Sequence, residues 1–474
     1  MCQAEQPQHV TVVGAGPSGA LAALLLAQRG YRVSVYEGRP DPRESAGEGH
    51  AAVVGVKDAS LSKVADAAKR SINLALSHRG LCALRKAGLD EAAIAAAVPM
   101  RGRMIHDKDG GMTLQPYGTR PDEILYSIGR QQINVWLLEA LRKHSDQVDL
   151  HFERKCSTVR ADGSADFVAS GAGVKGGERG GGIVAHAPPG RLLGCDGAFS
   201  AVRAGLSRLC RLSVSVDYIE HGYKELHMPA AKGGGYAMPP EALHIWPGSE
   251  AMLIALPNSD GSFTCTLFGD FTLLESFTTA AAATAFFESL WPDTLTLIPD
   301  IAVQYLRNPN AALSTVRCAP WNFGGKLLLI GDAAHGVVPF YGQGLNCAFE
   351  DVDLLDAELE RCADDWEEAL PKFYQARKPA ADALARLALD NYVEMRDKTV
   401  DRLFLLKNTA HGLLHSLFGE RWQPSLHTAV SFTSMPYHEV MEVCANQDRW
   451  LVRSAAVVAA LGIGGAVAIV AKRR

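Results

Sequence analysis

Residues 10–38, VTVVGAGPSGALAALLLAQRGYRVSVYEG, constrain the fold of this 474-residue chain more than any other stretch. A short β-branched run ends on Gly14-x-Gly16-x-x-Gly19, an Ala/Leu-rich run follows, and a second β-rich run ends on Glu37. Strand, tight turn, helix and second strand make a βαβ unit, which opens a parallel sheet. The first glycine permits the turn, the second lets the backbone approach a pyrophosphate, and the third lets the helix pack on the strand. The helix N-terminus then faces the phosphates with partial positive charge. Glu37, at the end of the second strand, can accept hydrogen bonds from ribose hydroxyls. In this setting the glycine triplet predicts a dinucleotide site.

Two later stretches choose between FAD and NAD. In CDGAFSAVR (195–203) and GDAAH (331–335) a strand ends in a short acid, Asp196 or Asp332, able to hold a hydroxyl or a ribityl group. Asp332 is followed by Pro339, Gly342, Gly344 and Asn346, whose exposed backbone can donate to a flavin ring. Taken singly, Asp196 could belong to an ordinary turn and Asp332 could be a helix N-cap. Together with the glycine triplet they point to FAD.

The chain is 47% hydrophobic and 21% charged, enough apolar residue for two cores. A net charge of −5 argues against the concentrated basic surface of a nucleic-acid binder. Ten cysteines without a C-x-x-C pair read as reduced thiols, and no metal ligands are predicted. The expected architecture is α/β. A discontinuous Rossmann-like FAD-binding domain spans 1–205, with a substrate-contacting segment near 99–120, and returns over 326–355. Between them, 206–325 reads as an inserted antiparallel substrate domain, and 356–450 reads as helical. Residues 162–190, rich in Gly, Ala and Ser, read as an exposed, change-tolerant hairpin excursion. The uncharged stretch SAAVVAALGIGGAVAIVA (454–471), flanked by basic residues, predicts a C-terminal transmembrane anchor over 451–474. A buried terminal helix is the alternative.

The cofactor motifs resemble those of the aromatic-hydroxylase class of single-component flavin monooxygenases. Within that class the chain is similar to the kynurenine 3-monooxygenase family. The matching blocks are RSINLALSHRG (70–80), PMRGRMIH (99–106), LQPYG (114–118), HGYKEL (221–226), LHIWP (243–247), IALPN (254–258), SFTCTLF (262–268), GDAAHGVVPFYGQGLN (331–346) and NYVEM (391–395). The resemblance implies a reaction in which NADPH reduces FAD and a flavin hydroperoxide, formed with O2, hydroxylates L-kynurenine at its ring 3-position. NADPH would be a transient co-substrate, and with no second glycine fingerprint no residues are assigned to it.

Matching residue by residue implies cofactor contacts at Gly14, Gly16, Ser18, Gly19, Glu37, Ala75, Arg130, Asp196, Asp332, Pro339, Gly342, Gly344, Leu345 and Asn346. It implies a substrate-carboxylate site at Arg103, Tyr117 and Asn391, with ring packing from Leu243, Ile254, Leu256, Phe268, Phe340 and Met395. His335 reads as structural rather than as an acid or base. Two departures stand out: His427 replaces a family Tyr at the carboxylate, and the stretch between 43 and 70 is lengthened. If His427 holds the carboxylate, affinity is expected to fall as pH rises through its titration. The resemblance also points to the mitochondrial outer membrane, with the endoplasmic reticulum as alternative and the body in the cytosol. The competing readings are a flavin hydroxylase of another aromatic amino-acid-like substrate, a tail-anchored flavin reductase, and a non-catalytic flavin-binding factor. A halogenase would carry a Trp-x-Trp-x-Ile-Pro motif, which the sequence does not contain.

Overall fold

The computed structural model describes residues 8–46, 73–170, 182–393 and 402–472. Met395 and most of the lengthened 43–70 stretch lie outside the described residues. A six-stranded sheet runs in the order Asn322–Phe323, Leu327–Leu329, Arg191–Gly194, His9–Val13, Arg32–Tyr36, Val148–His151. All its neighbours are parallel except the first pair. These strands are covered on both faces, which is why VTVV and LLL read as unbroken apolar runs rather than alternating ones.

Four adjacent strands of this sheet deliver the sequence motifs. Leu327–Leu329 leads to Asp332, Arg191–Gly194 to Asp196, His9–Val13 to Gly14, and Arg32–Tyr36 to Glu37. Being parallel, the strands all end on one edge, so residues more than 290 positions apart in the sequence meet at their carboxyl ends. Gly14 takes φ +102°, a conformation open to glycine, and hands the chain to helix Pro17–Gln28.

A seven-stranded sheet runs in the order Ala311–Ala319, Ser213–Met228, Phe263–Asp270, Ala251–Pro257, Ala242–Trp246, Gly102–His106, Met112–Pro116. It is antiparallel except where Ala242–Trp246 meets Gly102–His106 in parallel, with Leu243 opposite Arg103. The parallel pair arises because the last two strands come from the 99–120 segment rather than from the insertion. On one face Ile105, Ile245, Met252 and Phe268 pack against Phe340 and the helix Trp366–Val393. On the other, Trp246, Phe263 and Leu267 pack under helices Ala280–Leu290 and Ile301–Arg307.

Two expectations need correction. The 162–190 excursion is a hairpin, Ala165–Ala169 against Ile183–Ala187, exposed along most of its second strand but buried at the start of its first. Phe167 is fully buried and stacks on Tyr36 at 3.9 Å, so a Gly/Ala/Ser-rich composition concealed a core residue. The membrane anchor is also overturned: among the described residues no helix is long and apolar enough to cross a membrane. Helix Tyr437–Lys472 starts inside the body, where Tyr437, Val440 and Cys444 are buried, and Glu439, Glu442, Asp448, Arg449 and Arg453 follow. The apolar stretch is the remainder of that rod, roughly 27 Å against a hydrocarbon core of about 30 Å. Its side chains from 455 onward lie outside the described residues. The transmembrane helix, the lipid bilayer as partner and the outer-membrane location are therefore withdrawn.

Candidate active site

A cavity of about 630 Å³ opens at the carboxyl edge of the parallel sheet. Gly14, Gly16, Ser18, Glu37, Ala75, Arg130, Asp196, Asp332, Pro339, Gly342, Gly344 and Leu345 all line it. A Cβ on Gly16 would meet only the Arg39 guanidinium, at 4.0 Å, so this glycine leaves a cradle open above the helix N-terminus. Such a cradle suits a pyrophosphate approaching the backbone.

Gly19 and Asn346 lie behind the cavity wall. At Gly19 a Cβ would overlap the Gly14 carbonyl, so its role is close packing of helix on turn. Asn346 is fully buried, donates to the Ala75 carbonyl at 2.8 Å and the Gly342 carbonyl at 2.9 Å, and accepts from the Ser77 amide. It clamps together two segments that face the cavity.

The acids differ in what they have left to offer. Glu37 accepts from the Ala15 amide at 2.9 Å and from the Arg39 amide and guanidinium. Burial pushes its carboxyl up, but those donors outweigh burial and hold it below the ordinary range. Asp196 accepts from Ser200 and from the amides of Ala201 and Val202, so it caps the helix Ala201–Leu209. Burial nonetheless keeps its carboxyl above the ordinary range. Asp332 lines the cavity at the start of a one-turn helix. Sequence reasoning missed Arg39, Arg154 and Lys155 on the cavity rim. Arg39 could have been found from its spacing to Glu37. Arg154 and Lys155 arrive from a strand whose approach to Gly38 is not written locally.

A second cavity, of about 790 Å³, holds Arg103, Tyr117 and His427 together with Tyr341. Tyr117 stacks on His427 at 5.3 Å and Tyr341 does so at 5.6 Å. The buried Tyr117 hydroxyl has no hydrogen-bond partner among the described residues. Burial pushes this phenol well up, so it stays protonated and can donate. Its backbone carbonyl is held by Thr428, another residue the sequence did not flag.

The 3-10 turn Pro339–Tyr341 joins the two cavities. Pro339 lines the first, Tyr341 lines the second, and Phe340 packs between them on Phe268 at 4.9 Å and Tyr392 at 4.2 Å. Leu243 and Ile254 touch both the Phe340 cluster and the cluster of Tyr117 and Leu256, which Ala75 also joins. Asn391 does not line the second cavity; its amide donates to the Phe340 carbonyl at 2.7 Å and steadies this wall.

His335 turns away from the cavities and bonds Asp351 at 2.6 Å. His335, Cys347 and Asp351 place ligand-type atoms within 4.8 Å of one another. The Arg377 guanidinium already fills that neighbourhood, 2.8 Å from Asp351 and 3.1 Å from the Cys347 sulfur.

His427 behaves differently from the sequence expectation. Its exposed surface faces the cavity, and burial followed by the charge of Arg103 pushes it well below its ordinary range. It is neutral at working pH, so kynurenine affinity is expected to stay flat between about pH 5.5 and 8 as far as His427 is concerned. Stability carries the pH signal instead. Below about pH 6.5 the unfolded chain binds a proton that the folded chain refuses, so stability is lost as pH falls. Melting temperatures at acidic and neutral pH should show a smaller acid loss in His427→Tyr than in the wild type; equal losses would refute this.

Taken with the relatives below, this fold is that of an FAD-dependent aromatic monooxygenase. In three dimensions the chain is similar to 2-methyl-3-hydroxypyridine-5-carboxylic acid oxygenase, with a TM-score of 0.62, 16% identity, and coverage of 83% of this chain and 94% of that one. A tetracycline destructase aligns with a TM-score of 0.57 at 13% identity, covering 88% and 99%. Residues 278–388 match the FAD binding domain family and residues 12–51 an NAD(P)-binding Rossmann-like domain. The chain is 40% identical to kynurenine 3-monooxygenase of Myxococcus xanthus, over 93% of this chain and 89% of that protein. It is 38% identical to kynurenine 3-monooxygenase of Anopheles gambiae, over 97% and 90%. The chain belongs to the kynurenine 3-monooxygenase family.

Proposed function

We infer that this protein is an NADPH- and FAD-dependent monooxygenase that converts L-kynurenine to 3-hydroxykynurenine. The observation that carries the reading is the Pro339–Tyr341 turn, which sets a cavity built for FAD one residue from an aromatic wall and two from the cavity of Arg103 and Tyr117. FAD, when bound, supplies the reducing and oxygen-activating chemistry. The residues do the rest by holding and shielding.

Gly14, Gly16, Ser18 and Glu37 would take the adenosine and pyrophosphate half, with Arg130 beside them, and Asp332 the ribityl side. Ala75, Pro339, Gly342, Gly344 and Leu345 would face the ring. Arg103 suits the substrate carboxylate because a guanidinium makes two parallel hydrogen bonds to it. Tyr117 donates a third and neutral His427 can donate a fourth. Phe340, Phe268, Leu243, Ile254 and Leu256 would pack the aromatic amine and keep water from the reacting carbon.

The unpartnered Tyr117 hydroxyl makes a separable prediction. Tyr117→Phe removes a buried donor that has no partner among the described residues, so thermal stability should hold or rise. Kynurenine affinity should fall about tenfold, as loss of a hydrogen bond to a charged group implies. Calorimetry and a binding titration on the same sample read both; a loss of stability with unchanged affinity would reverse the assignment.

The function is tested with the full chain loaded with FAD. Kynurenine should stimulate NADPH oxidation, and 3-hydroxykynurenine should appear in step with NADPH consumed. Stimulated oxidation yielding only hydrogen peroxide, or no stimulation at all, would sink the reading.

A further inference from the structure

Two of the sequence blocks, RMIH and LHIWP, each carry a histidine that neither cavity uses. His106 and His244 meet on the back of the seven-stranded sheet, with the His106 Nε2 2.8 Å from the His244 Nδ1. Strand alternation puts them opposite Arg103 and Leu243: residues 103 and 105 face the substrate side, while 104 and 106 face the rear. The His244 Nε2 lies 2.8 Å from the Pro239 carbonyl. The His106 Nδ1 lies 3.2 Å from the Asp293 carboxylate, which also accepts from the Trp246 indole at 2.8 Å. His106 stacks on Trp246 at 3.9 Å.

Hydrogen-bond accounting fixes the direction of the links made by His244 and Trp246. A carbonyl only accepts, so the His244 Nε2 donates to Pro239. Burial pushes His244 down to about 4, so it is neutral and its Nδ1 must accept from His106. Burial pushes the Asp293 carboxyl up, but the bonds from His106 and Trp246 outweigh it and keep it ionised, so it too accepts. His106 therefore bridges the two, its Nε2 toward the His244 Nδ1 and its Nδ1 toward the Asp293 carboxylate. One network thus staples the strand carrying Arg103, the strand carrying Leu243, and the turn before Thr294–Leu297 in the layer behind.

We propose that His106, His244 and Asp293 form a positioning relay that sets the grip of Arg103 on the substrate carboxylate. The relay anchors the only parallel strand pair of this sheet among the described residues, with Arg103 three positions, or roughly 10 Å, from His106. A bidentate clamp tolerates misplacement of only about 0.5 Å, so freedom at this pair is felt as lost affinity. The inference rests on Arg103 binding kynurenine.

The test compares His106→Phe, which keeps the ring on Trp246 but removes both ring nitrogens, with Asp293→Asn and with Phe287→Leu. Phe287 is buried in the same rear layer and has no bond to the relay. In the FAD-loaded full chain His106→Phe should raise the kynurenine Kd and KM about tenfold, with kcat and flavin content within about twofold of the wild type. Asp293→Asn should shift Kd the same way by about threefold, and Phe287→Leu should cost stability without moving Kd. Unchanged Kd in both relay variants overturns the relay, and so does an equal rise in Phe287→Leu. A wild type that binds no kynurenine overturns the substrate reading, and the relay's assigned role with it.

Discussion

Arg103→Ala is expected to lower kcat/KM for L-kynurenine by about 100-fold, the loss that follows when a desolvated carboxylate loses its charged, hydrogen-bonded partner. Most of it should appear in KM, because the amino-acid head is remote from the ring carbon that is oxidised. Flavin content should not change, since Arg103 lies outside the FAD cavity. Arg103→Lys should recover only part of the loss, because an ammonium cannot reproduce the guanidinium fork. One property should survive the change. Burial, the larger cause holding His427 down, outlasts the loss of Arg103, so the alanine variant should keep a kynurenine affinity as flat with pH as that of the wild type. Steady-state kinetics across pH check both; a kcat/KM within about threefold of the wild type would remove Arg103 from the substrate site.

The second large effect separates two glycines that look alike in the sequence. In Gly19→Ala the new Cβ overlaps the Gly14 carbonyl, and the helix cannot withdraw because Ala20, Leu21, Ala23 and Leu24 are packed in the core. Overpacking of this kind costs about 1–3 kcal/mol or more, so both stability and flavin content should drop. In Gly16→Ala the Cβ meets almost nothing in the protein and points into the cradle. That variant should keep stability within about 1 kcal/mol yet bind FAD at least about tenfold more weakly, because the methyl occupies the pyrophosphate's approach. Flavin absorbance per chain and thermal melts resolve the pair. Full flavin content in Gly16→Ala would mean that the cradle holds something else.

Much of the cofactor site was legible because its logic is local. A strand, a turn and a helix start are written in consecutive residues, and parallel strands ending on one edge bring Gly14, Glu37, Asp196 and Asp332 together without further instruction. The proposed substrate site rests on family resemblance, since a lone arginine in a strand announces nothing. The terminal anchor went wrong for a physical reason. An apolar window was judged by itself, whereas the structure continues it from Tyr437 as one helix rooted in the core. The 162–190 hairpin was read rightly for its exposed second strand and wrongly for its first, where composition hid Phe167 and Ala165 in the core.

By itself the sequence determined a βαβ dinucleotide fold, the cofactor and the family, because these depend on short-range geometry and on motifs that survive as contiguous text. Only the tertiary structure decided how Pro339, Phe340 and Tyr341 divide between two cavities and the wall that parts them. It also decided that His427 is neutral and that Asn391 braces a wall. His106 found its carboxylate 187 positions away on the far side of a sheet. Charge state and positioning are set by through-space neighbours, burial and the nearest ion, and none of these is carried by a residue's place in the chain.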